Sequence, residues 1–400
     1  MKVTRVEIFD CHVTKNDPQG PQFNPVLLRV HTDEGITGLG EVGLAYGSAA
    51  KGAVGILRDF APFVIGSDPM NVEDCWEKLF RRTYWGMGGG PVVYGGISAY
   101  DIALWDIRGK KLNAPIWQLL GGKTNDNLRT YASQIQFGWG DKHFMGTDPE
   151  HYAAAAKAAL AEGYDSLKVD PLQVGADGYR GYRASLKQHR FGLLYNHEVE
   201  MGAARIRAIR EAVGPDVSII CEIHSLLGTN SAMQFAKAIE PYDIFYYEEP
   251  TNPLNTKSLK KVSEHTRIPV ATGERSYTRW GFRDLLENQA LGVVQPDVCL
   301  VGGITECKKV CDMANLYDAT VQIHVCGGPV STAAALQIEA VIPNFLIHEH
   351  HTWALKQCVR ELCVNDYQPK NGKFEVPDAP GLGQELNDEV CRSYLVHTIE

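Results

Sequence analysis

Three acidic residues end apolar, strand-like segments at equal intervals in the middle of the chain. Glu222 ends SIICE, Glu248 ends IFYYE and Glu274 ends PVATGE, so that each lies 26 residues from the next. A strand, a short loop and a helix together take about that many residues, so the spacing predicts successive βα units of a parallel barrel. The carboxyl ends of the strands in such a barrel lie at one open mouth, where the three carboxylates would converge.

Ionisable residues also end the strands predicted on either side of this run. VVQPD ends at Asp297, TVQIH at His324 and LIHE at Glu349, at intervals of 23 to 27 residues. Upstream, SLKVD carries Lys168 and Asp170, which would point the same way because side chains two apart on a strand share a face. We therefore predict that these groups surround one barrel mouth.

Three carboxylates in one place require a cation if all are to stay ionised. Hard oxygen ligands in this number suit Mg²⁺, with water or substrate completing an octahedron. The alternative is three unrelated acids at strand ends, each paired with a lysine or arginine. Because the neighbouring strands carry ionisable residues at the same depth, we predict a Mg²⁺ site formed by Glu222, Glu248 and Glu274.

Composition disfavours several classes of partner. The net charge of −9 argues against nucleic acid, and no apolar run approaches the roughly 20 residues that cross a bilayer. The segment MKVTRVEIFD is predicted to be a first strand and lacks the apolar core of a signal peptide. The ten cysteines are scattered without metal-type pairs, as expected for buried thiols in a reducing compartment. We expect a cytoplasmic protein with no nucleic-acid or membrane partner.

The chain divides by pattern into three segments. Residues 1–125 alternate as antiparallel strands and then continue as helices, which predicts an α+β capping domain. Residues 126–368 alternate strands and helices as a barrel does, and residues 369–400 are rich in turn formers and are expected to pack back on the cap. The glycines of 86–91 follow no parallel strand, which argues against a nucleotide-binding loop.

Several segments together resemble those of a known family. The evenly spaced acids and the segments DIALWDIRGK, YEEP, ATGER, QPD, GGITE and PGLG are similar to those of the enolase superfamily. Within it, the chain resembles the mandelate-racemase-like subgroup and its galactonate-dehydratase-type acid-sugar dehydratases, over nearly its whole length. The resemblance implies an α/β fold: a modified TIM barrel, (β/α)7β, with an N-terminal α+β capping domain completed by the C-terminal segment.

The resemblance also implies an activity. Such a hydro-lyase uses Mg²⁺, abstracts the α-proton of an aldonic or aldaric acid and eliminates the β-hydroxyl to give a 2-keto-3-deoxy acid. The substrate would be a small sugar acid, and relatives suggest a symmetric homo-oligomer, often an octamer. The implied roles are metal ligation by Glu222, Glu248 and Glu274, general-base catalysis by the His324–Asp297 dyad, general-acid catalysis by His224, and contact with the substrate carboxylate or its enolate by Lys168 and Glu349.

Two positions depart from the pattern of the relatives. Glu222 stands where close relatives usually have Asp, and Lys168-Val169-Asp170 replaces the K-x-K of racemases. Loss of the second lysine removes a base from one face of the α-carbon, which favours one-sided proton abstraction by His324. Three alternatives stay open: Lys168 could pair internally with Asp170, His224 could only support the metal, and Asp170 could itself be the base.

Specificity is expected from the cap and from the long polar connection 171–197. The cap candidates are residues 16–23, Tyr46 to Ser48 and Tyr84-Trp85, and we predict substrate contacts for Tyr46 and Trp85 as well as for Asp170. In the connection, Arg180, Arg183 and His189 could reach a distal carboxylate or remain solvated.

Two other functions compete with the dehydratase hypothesis. A sugar-lactone cycloisomerase would use the same enolate chemistry, whereas a non-catalytic regulatory binding protein would have no need of the ligand set and the dyad. Near the last predicted strand, His348 and His350 should face away from Glu349 and pack between barrel and helices.

Overall fold

An antiparallel sheet forms the base of the cap. The computed structural model describes residues 1–14, 23–140, 146–175 and 188–400. Strands β1 (Val3–Asp10), β2 (Val26–Thr32) and β3 (Thr37–Val42) lie in sequence order, and β13 (Leu395–Ile399) pairs with the outer edge of β1. The prediction that the C-terminal segment completes the cap is therefore confirmed.

Four helices accompany this sheet: α1 (Ala50–Val64), α2 (Val72–Arg82), α3 (Gly90–Lys111) and the short α4 (Ile116–Leu119). Helix α3 packs so closely on β3 that a Cβ at Gly38 or Gly40 would overlap the backbone carbonyl of Ala103 or Ala99. The glycines of β3 therefore make this packing possible. Gly90 and Pro91, at the end of the glycine-rich segment 86–91, form the first turn of α3. Proline is well tolerated there, where its missing N–H has no helical partner.

Eight parallel strands follow, and a helix connects each to the next, as the (β/α)7β prediction requires. The strands are β4 (Asn127–Ser133), β5 (Ser166–Val169), β6 (Ser218–Glu222), β7 (Ile244–Glu248), β8 (Val270–Thr272), β9 (Val293–Val294), β10 (Thr320–Val321) and β11 (His348–His351). The helices are α5 (Pro149–Ala161), α6 (Asn196–Val213), α7 (Thr229–Ile239), α8 (Thr256–Ser263), α9 (Thr278–Glu287), α10 (Gly303–Leu316) and α11 (Pro329–Glu339). A bridge between Val321 and Phe345 joins β10 to the segment before β11.

The segment after the barrel contacts both halves of the molecule. Beyond the short helix α12 (Gln357–Arg360), strand β12 (Lys373–Glu375) pairs antiparallel with β4, at the amino-terminal end of the first barrel strand. The chain then passes through α13 (Asp388–Cys391) to β13 in the cap sheet. Residues 369–400 thus link the barrel to the cap.

Buried acids of the cap hold the barrel helices that follow β9 and β10. Glu41 of β3 accepts hydrogen bonds from the backbone N–H groups of Gly328 and Ser331 at the start of α11. Asp101 of α3 accepts one from Thr305 at the start of α10, at 3.0 Å. Carboxylates are favourable at helix amino termini, where backbone N–H groups lack helical partners. The cap therefore anchors the loops that carry the predicted dyad.

The interior is apolar and contains free thiols. All ten cysteines are unpaired, and eight of them are buried, with Cys326 and Cys358 half-buried. Burial raises the pKa of Cys75 to about 12, so its thiol stays protonated at neutral pH. Within the described ranges, we find no helix with the length and hydropathy needed to cross a bilayer.

Candidate active site

Strands β6 and β7 bring two of the predicted ligands side by side, and the residues after β8 add the third. Glu222 and Glu248 are paired neighbours in the sheet, and Glu274 lies two residues beyond the end of β8. One carboxylate oxygen of each lies within 4.8 Å of the others. Burial and the charge of Glu222 raise the pKa of Glu248 to about 8. The three carboxylates therefore need more positive charge nearby if all of them are to be ionised.

Lys168 supplies part of that charge from the neighbouring strand β5. Its Nζ lies 2.7 Å from Glu248, 2.8 Å from Glu349 and 3.5 Å from Glu222. Although burial opposes it, these three acids raise the pKa of Lys168 well above its usual value. The ion-pair partners of Lys168 are thus these glutamates and not Asp170, because β5 ends at Val169 and the strand alternation stops there.

His324 and Asp297 form the predicted dyad. Nδ1 of His324 lies 2.8 Å from Oδ2 of Asp297, whose other oxygen accepts a hydrogen bond from the N–H of Cys299. Nε2 lies 3.2 Å from Oε2 of Glu274. Burial alone would lower the pKa of His324, but Glu274 and Asp297 outweigh it and raise the pKa to about 10. The ring is oriented through Nδ1, and Nε2 points towards the acidic cluster.

A second His–Asp pair lies at the same mouth. Nδ1 of His224 is 2.7 Å from Oδ2 of Asp170, and Oδ1 of Asp170 accepts from the N–H of Leu172. His224 adopts a left-handed backbone with a φ of +48°, which is uncommon for a residue with a side chain. Burial alone lowers the pKa of His224, whereas Glu222 and Asp170 raise it to about 9 overall. The sequence analysis had left the partner of Asp170 open.

Nε2 of His224 contacts an amide that the sequence analysis missed. The side-chain nitrogen of Gln134 lies 3.1 Å from it, and the oxygen of Gln134 accepts from Gln136. An amide N–H donated to Nε2 favours the unprotonated nitrogen, so Gln134 and the nearby carboxylates act in opposite directions on this ring. Gln134 follows β4 at the depth where the other strands carry ionisable residues, so its position, though not its residue type, could have indicated it.

Both carboxylate oxygens of Glu349 accept hydrogen bonds. Oε1 accepts from the hydroxyl of Ser133 at 2.7 Å, and Oε2 accepts from the N–H of Val325 at 2.9 Å. Burial opposes ionisation, but Lys168 and His324 hold the pKa of Glu349 well below its usual range. Glu349 therefore connects the lysine to the loop that carries the histidine dyad.

A cavity of about 800 Å³ gives access to these groups. Four of the predicted groups line it together with cap residues: His224, His324, Lys168 and Glu274 from the barrel, and Tyr46, Gly47, Ser48 and Leu44 from the cap. Trp85 is not among the lining residues; its side chain is 72% exposed and stands edge-on to Tyr84. The structure thus brings Tyr46 to the cavity and places Trp85 on the surface.

Some predicted specificity residues lie outside the described ranges. These are residues 16–22 of the cap and Arg180 and Arg183 of the long connection. His189 is described, and its Nε2 lies 2.6 Å from Glu198 at the start of α6. His348 and His350 contact Glu339 and Tyr164 on the helix side of the barrel.

Arg275 is a further residue that the sequence analysis missed. It lines the cavity and lies 2.5 Å from Glu274, while its guanidinium also contacts the buried Glu249. Its place in ATGER, directly after a predicted ligand, was a usable signal. The ion pair with Arg275 orients the carboxylate of Glu274 at the cavity wall.

Two family models match the chain. The model described as "Enolase C-terminal domain-like" covers residues 151–390, and that of the "Mandelate racemase / muconate lactonizing enzyme, N-terminal domain" covers residues 20–121. A D-xylonate dehydratase of Haloferax volcanii is 33% identical over 98% of this chain and 90% of its own length. A D-galactonate dehydratase of Ralstonia pickettii is 31% identical over 91% of this chain and 89% of its own length.

Solved structures agree with these matches. A crystal structure from Salmonella enterica serovar Typhimurium has a TM-score of 0.97 and 61% identity, and the match covers 100% of both chains. A member of the enolase superfamily from Salmonella Typhimurium has a TM-score of 0.94 and 49% identity, again over 100% of both chains. The similarity therefore extends over cap and barrel alike.

Proposed function

This chain belongs to the enolase superfamily, in its mandelate racemase and muconate lactonizing enzyme group, and on that premise we propose that it is a Mg²⁺-dependent acid-sugar dehydratase. It would convert an aldonic acid to a 2-keto-3-deoxy acid and water. The observation that carries the proposal is the pair of His–Asp dyads at one cavity, beside Lys168 and the three-carboxylate cluster.

The donor set fits a divalent cation. Oε2 of Glu222 and Oε2 of Glu248 are buried and accept no hydrogen bond in the described part of the chain, although the ammonium of Lys168 lies 3.5 Å from the former. Buried carboxylate oxygens without hydrogen bonds are costly unless a cation binds them. Glu222, Glu248 and Glu274 would hold Mg²⁺, which when bound supplies positive charge for the enolate that forms from the substrate carboxylate. The extra methylene of Glu222 is accommodated, since its other oxygen accepts from the N–H groups of Ile223 and His224.

His324 would remove the α-proton. Its Nδ1 is held by Asp297, so the proton would be taken up at Nε2 and stabilised as imidazolium by the aspartate. Glu274 keeps a proton on this ring through its charge. With Glu274 holding a cation, less of that charge would act on His324, which would favour the neutral imidazole that a base requires.

His224 would protonate the departing β-hydroxyl. Glu222 and Asp170 favour its protonated form, and transfer of that proton lets the hydroxyl leave as water. The resulting enol becomes the 2-keto acid by taking up a proton at the β-carbon. Lys168 and Glu349 adjoin the acid cluster, where Lys168 would offset the charge that develops on the substrate carboxylate.

The relatives narrow the substrate class. The names of the two curated relatives give D-xylonate and D-galactonate, which are both aldonic acids. The test is a panel of aldonic and aldaric acids, with these two included, assayed for 2-keto acid formation and loss of one water by mass spectrometry. Conversion of an aldonic acid supports the proposal, and no conversion in the panel would contradict it. With the corresponding sugar lactones assayed alongside, conversion of a lactone to a product of unchanged mass would indicate a cycloisomerase.

Metal dependence has its own test. Chelation should abolish turnover and Mg²⁺ should restore it, and Glu248→Gln should lose bound Mg²⁺ in a calorimetric titration while keeping its circular dichroism spectrum. Glu264→Gln, an exposed acid beside Lys260, is the matched control. Full Mg²⁺ binding by Glu248→Gln would show that the ligand assignment is wrong.

A further inference from the structure

Three glutamine side chains form a connected row beside His224, and we propose that this amide row, Gln134, Gln136 and Gln173, is the surface that binds the substrate hydroxyl groups beyond the β-carbon. Gln134 and Gln173 line the cavity, and Gln136 lies behind them with 2% of its surface exposed. The inference rests on the proposed sugar-acid chemistry and deepens it.

The orientation of the row follows from one unambiguous donor. The backbone N–H of Asp170 lies 3.2 Å from Gln136, and because a backbone N–H can only donate, the Gln136 atom facing it is the amide oxygen. The NH₂ group of Gln136 then points the other way, 2.5 Å from Gln134 and 2.7 Å from Gln173. Both of those contacts must be oxygens, since an NH₂ group only donates.

This fixes which groups reach the cavity. With their oxygens turned to Gln136, Gln134 and Gln173 direct their NH₂ groups outwards. The NH₂ group of Gln134 faces Nε2 of His224 at 3.1 Å and can donate to it only while that nitrogen carries no proton. Within the described residues we find no acceptor for the NH₂ group of Gln173. The row therefore presents oriented donors, and a neutral amide donor suits the oxygen of a hydroxyl group.

Backbone conformation supports a role in binding. Gln134 has a φ of +68°, His224, which it faces, has a φ of +48°, and the adjacent Ser225 has a φ of +58°. Side chains are rarely held in this region, and such conformations cluster at functional sites. The strained turn after β4 aims Gln134 at His224, where a regular strand would continue past it.

The row also lies where the chemistry needs it. His224 is the proposed donor to the β-hydroxyl, and a hydroxyl that reaches its Nε2 takes the place of the Gln134 amide. The released N–H can then bind an oxygen of the same substrate, with Gln173 binding one further along the chain. Gln136 acts through its two neighbours and is thus a positioning residue.

Binding measurements can test this without turnover when every protein also carries His324→Asn, which lacks the proposed base and keeps the three glutamines. The probes are D-xylonate and D-galactonate, and lactate as an acid that keeps the carboxylate and α-hydroxyl but lacks the hydroxyls beyond them. Each is titrated calorimetrically into the Mg²⁺-loaded protein and into Gln134→Leu, Gln173→Leu and Gln136→Leu. Gln368→Leu, a half-buried glutamine that contacts Ala354 away from the cavity, is the matched control.

We expect the His324→Asn protein to bind one sugar acid more tightly than lactate. Gln173→Leu should weaken binding of that sugar acid about three- to tenfold, which is the effect of one lost hydrogen bond, and should leave the affinity for lactate unchanged. Gln136→Leu should reduce the same preference and, with His324 intact, also lower kcat, because Gln134 is then free to turn, and Gln368→Leu should change neither quantity.

Equal losses for lactate and sugar acid in Gln173→Leu would overturn the inference, as would a His324→Asn protein without any preference. Failure of the dehydratase proposal is distinguishable from both outcomes. It would appear as absence of keto acid from the panel, whereas the binding preference is measured whether or not the bound acid reacts.

Discussion

The two His–Asp pairs at the cavity have the same internal geometry and opposite surroundings. In both, Nδ1 lies within 2.8 Å of an aspartate oxygen, and the side chains are 14% exposed for His324 and 13% for His224. Nε2 of His324 faces the carboxylate of Glu274, whereas Nε2 of His224 faces the amide of Gln134. The same dyad is thus directed at a charged neighbour on one side and a neutral donor on the other.

The difference shows how one pair of residue types can serve two roles. Glu274, a candidate metal ligand, lies directly against Nε2 of His324, so the proton affinity of that nitrogen depends on the state of the acid cluster. Glu222, by contrast, acts on His224 from the Nδ1 side, 3.9 Å away. The amide beside His224 carries no net charge and can be replaced by a substrate hydroxyl. Environment, and not the dyad itself, then divides base from acid, which the following experiments address.

The largest effect is expected from removing each imidazole. His324→Asn should block exchange of the substrate α-proton with solvent deuterium, by about 10²- to 10⁴-fold, because it removes the base. His224→Asn should retain part of the exchange and stop elimination. The measurement is deuterium incorporation by mass spectrometry, together with keto acid formation. Equal loss of exchange in both variants would mean that the roles are not divided.

The aspartates should give a smaller and unequal response. Asp297→Asn should slow exchange about 10- to 100-fold, since the imidazolium at His324 loses its stabilising charge. Asp170→Asn should reduce turnover less than His324→Asn does and leave exchange largely intact. Steady-state kinetics with a deuterated substrate would measure both. If Asp170→Asn abolished exchange while His324→Asn did not, the base would have to be Asp170.

The hydrogen bonds that Glu41 of the cap accepts should matter more for the His324 dyad than for the His224 dyad. Glu41 accepts a hydrogen bond from the N–H of Gly328, which lies four residues beyond His324 and directly before α11. Glu41→Gln turns an acceptor into a donor facing backbone N–H groups, which should cost about 1–3 kcal/mol of stability. The exchange step should slow several-fold at unchanged Mg²⁺ affinity. Glu34→Gln, which changes an exposed acid of the cap, is the control. A melting temperature of Glu41→Gln identical to that of the wild type would show that the Glu41 hydrogen bonds do not stabilise the fold.

The last comparison concerns stability against pH in chelated protein. His324 has a pKa raised from 6.5 to about 10, so its contribution to folding is present below pH 6.5 and is lost as pH rises towards 10. His350 is the reverse case, because burial and the neighbouring His348 lower its pKa to about 3, and its contribution is lost as pH falls from 6.5.

Urea unfolding of His324→Asn and His350→Asn at several pH values would test these signs. Each variant should lose a slope of up to about 1.4 kcal/mol per pH unit in its own window, above pH 6.5 for His324 and below it for His350. Loss of slope in the same window for both variants would contradict the assignment.

The sequence predicted the parts of the site that repeat with the barrel. Evenly spaced strand ends located Glu222, Glu248 and Asp297, because strand and helix lengths fix that period. Gln134 was missed because an amide carries no charge and the predicted first strand, YASQIQF, continued through it. In the structure β4 ends at Ser133, and the left-handed Gln134 begins a turn that periodicity does not reveal.

The side-chain contacts that residues make across the barrel could not be predicted from the sequence either. Lys168 was expected near a substrate carboxylate or paired with Asp170, yet its ammonium lies among three glutamates from β6, β7 and β11. Such contacts depend on barrel closure and side-chain length, and one-dimensional spacing contains neither. The outward direction of His348 and His350 followed from strand alternation alone.

The buried thiols give the molecule internal probes of its own motion. A reagent reaches a buried cysteine only when the surrounding structure opens, so its labelling rate measures the free energy of local opening. Cys75 lies in α2 of the cap, Cys311 in α10 of the barrel and Cys391 in α13. Without any engineered label, the order in which these thiols react would rank how readily cap, barrel and terminal segment open.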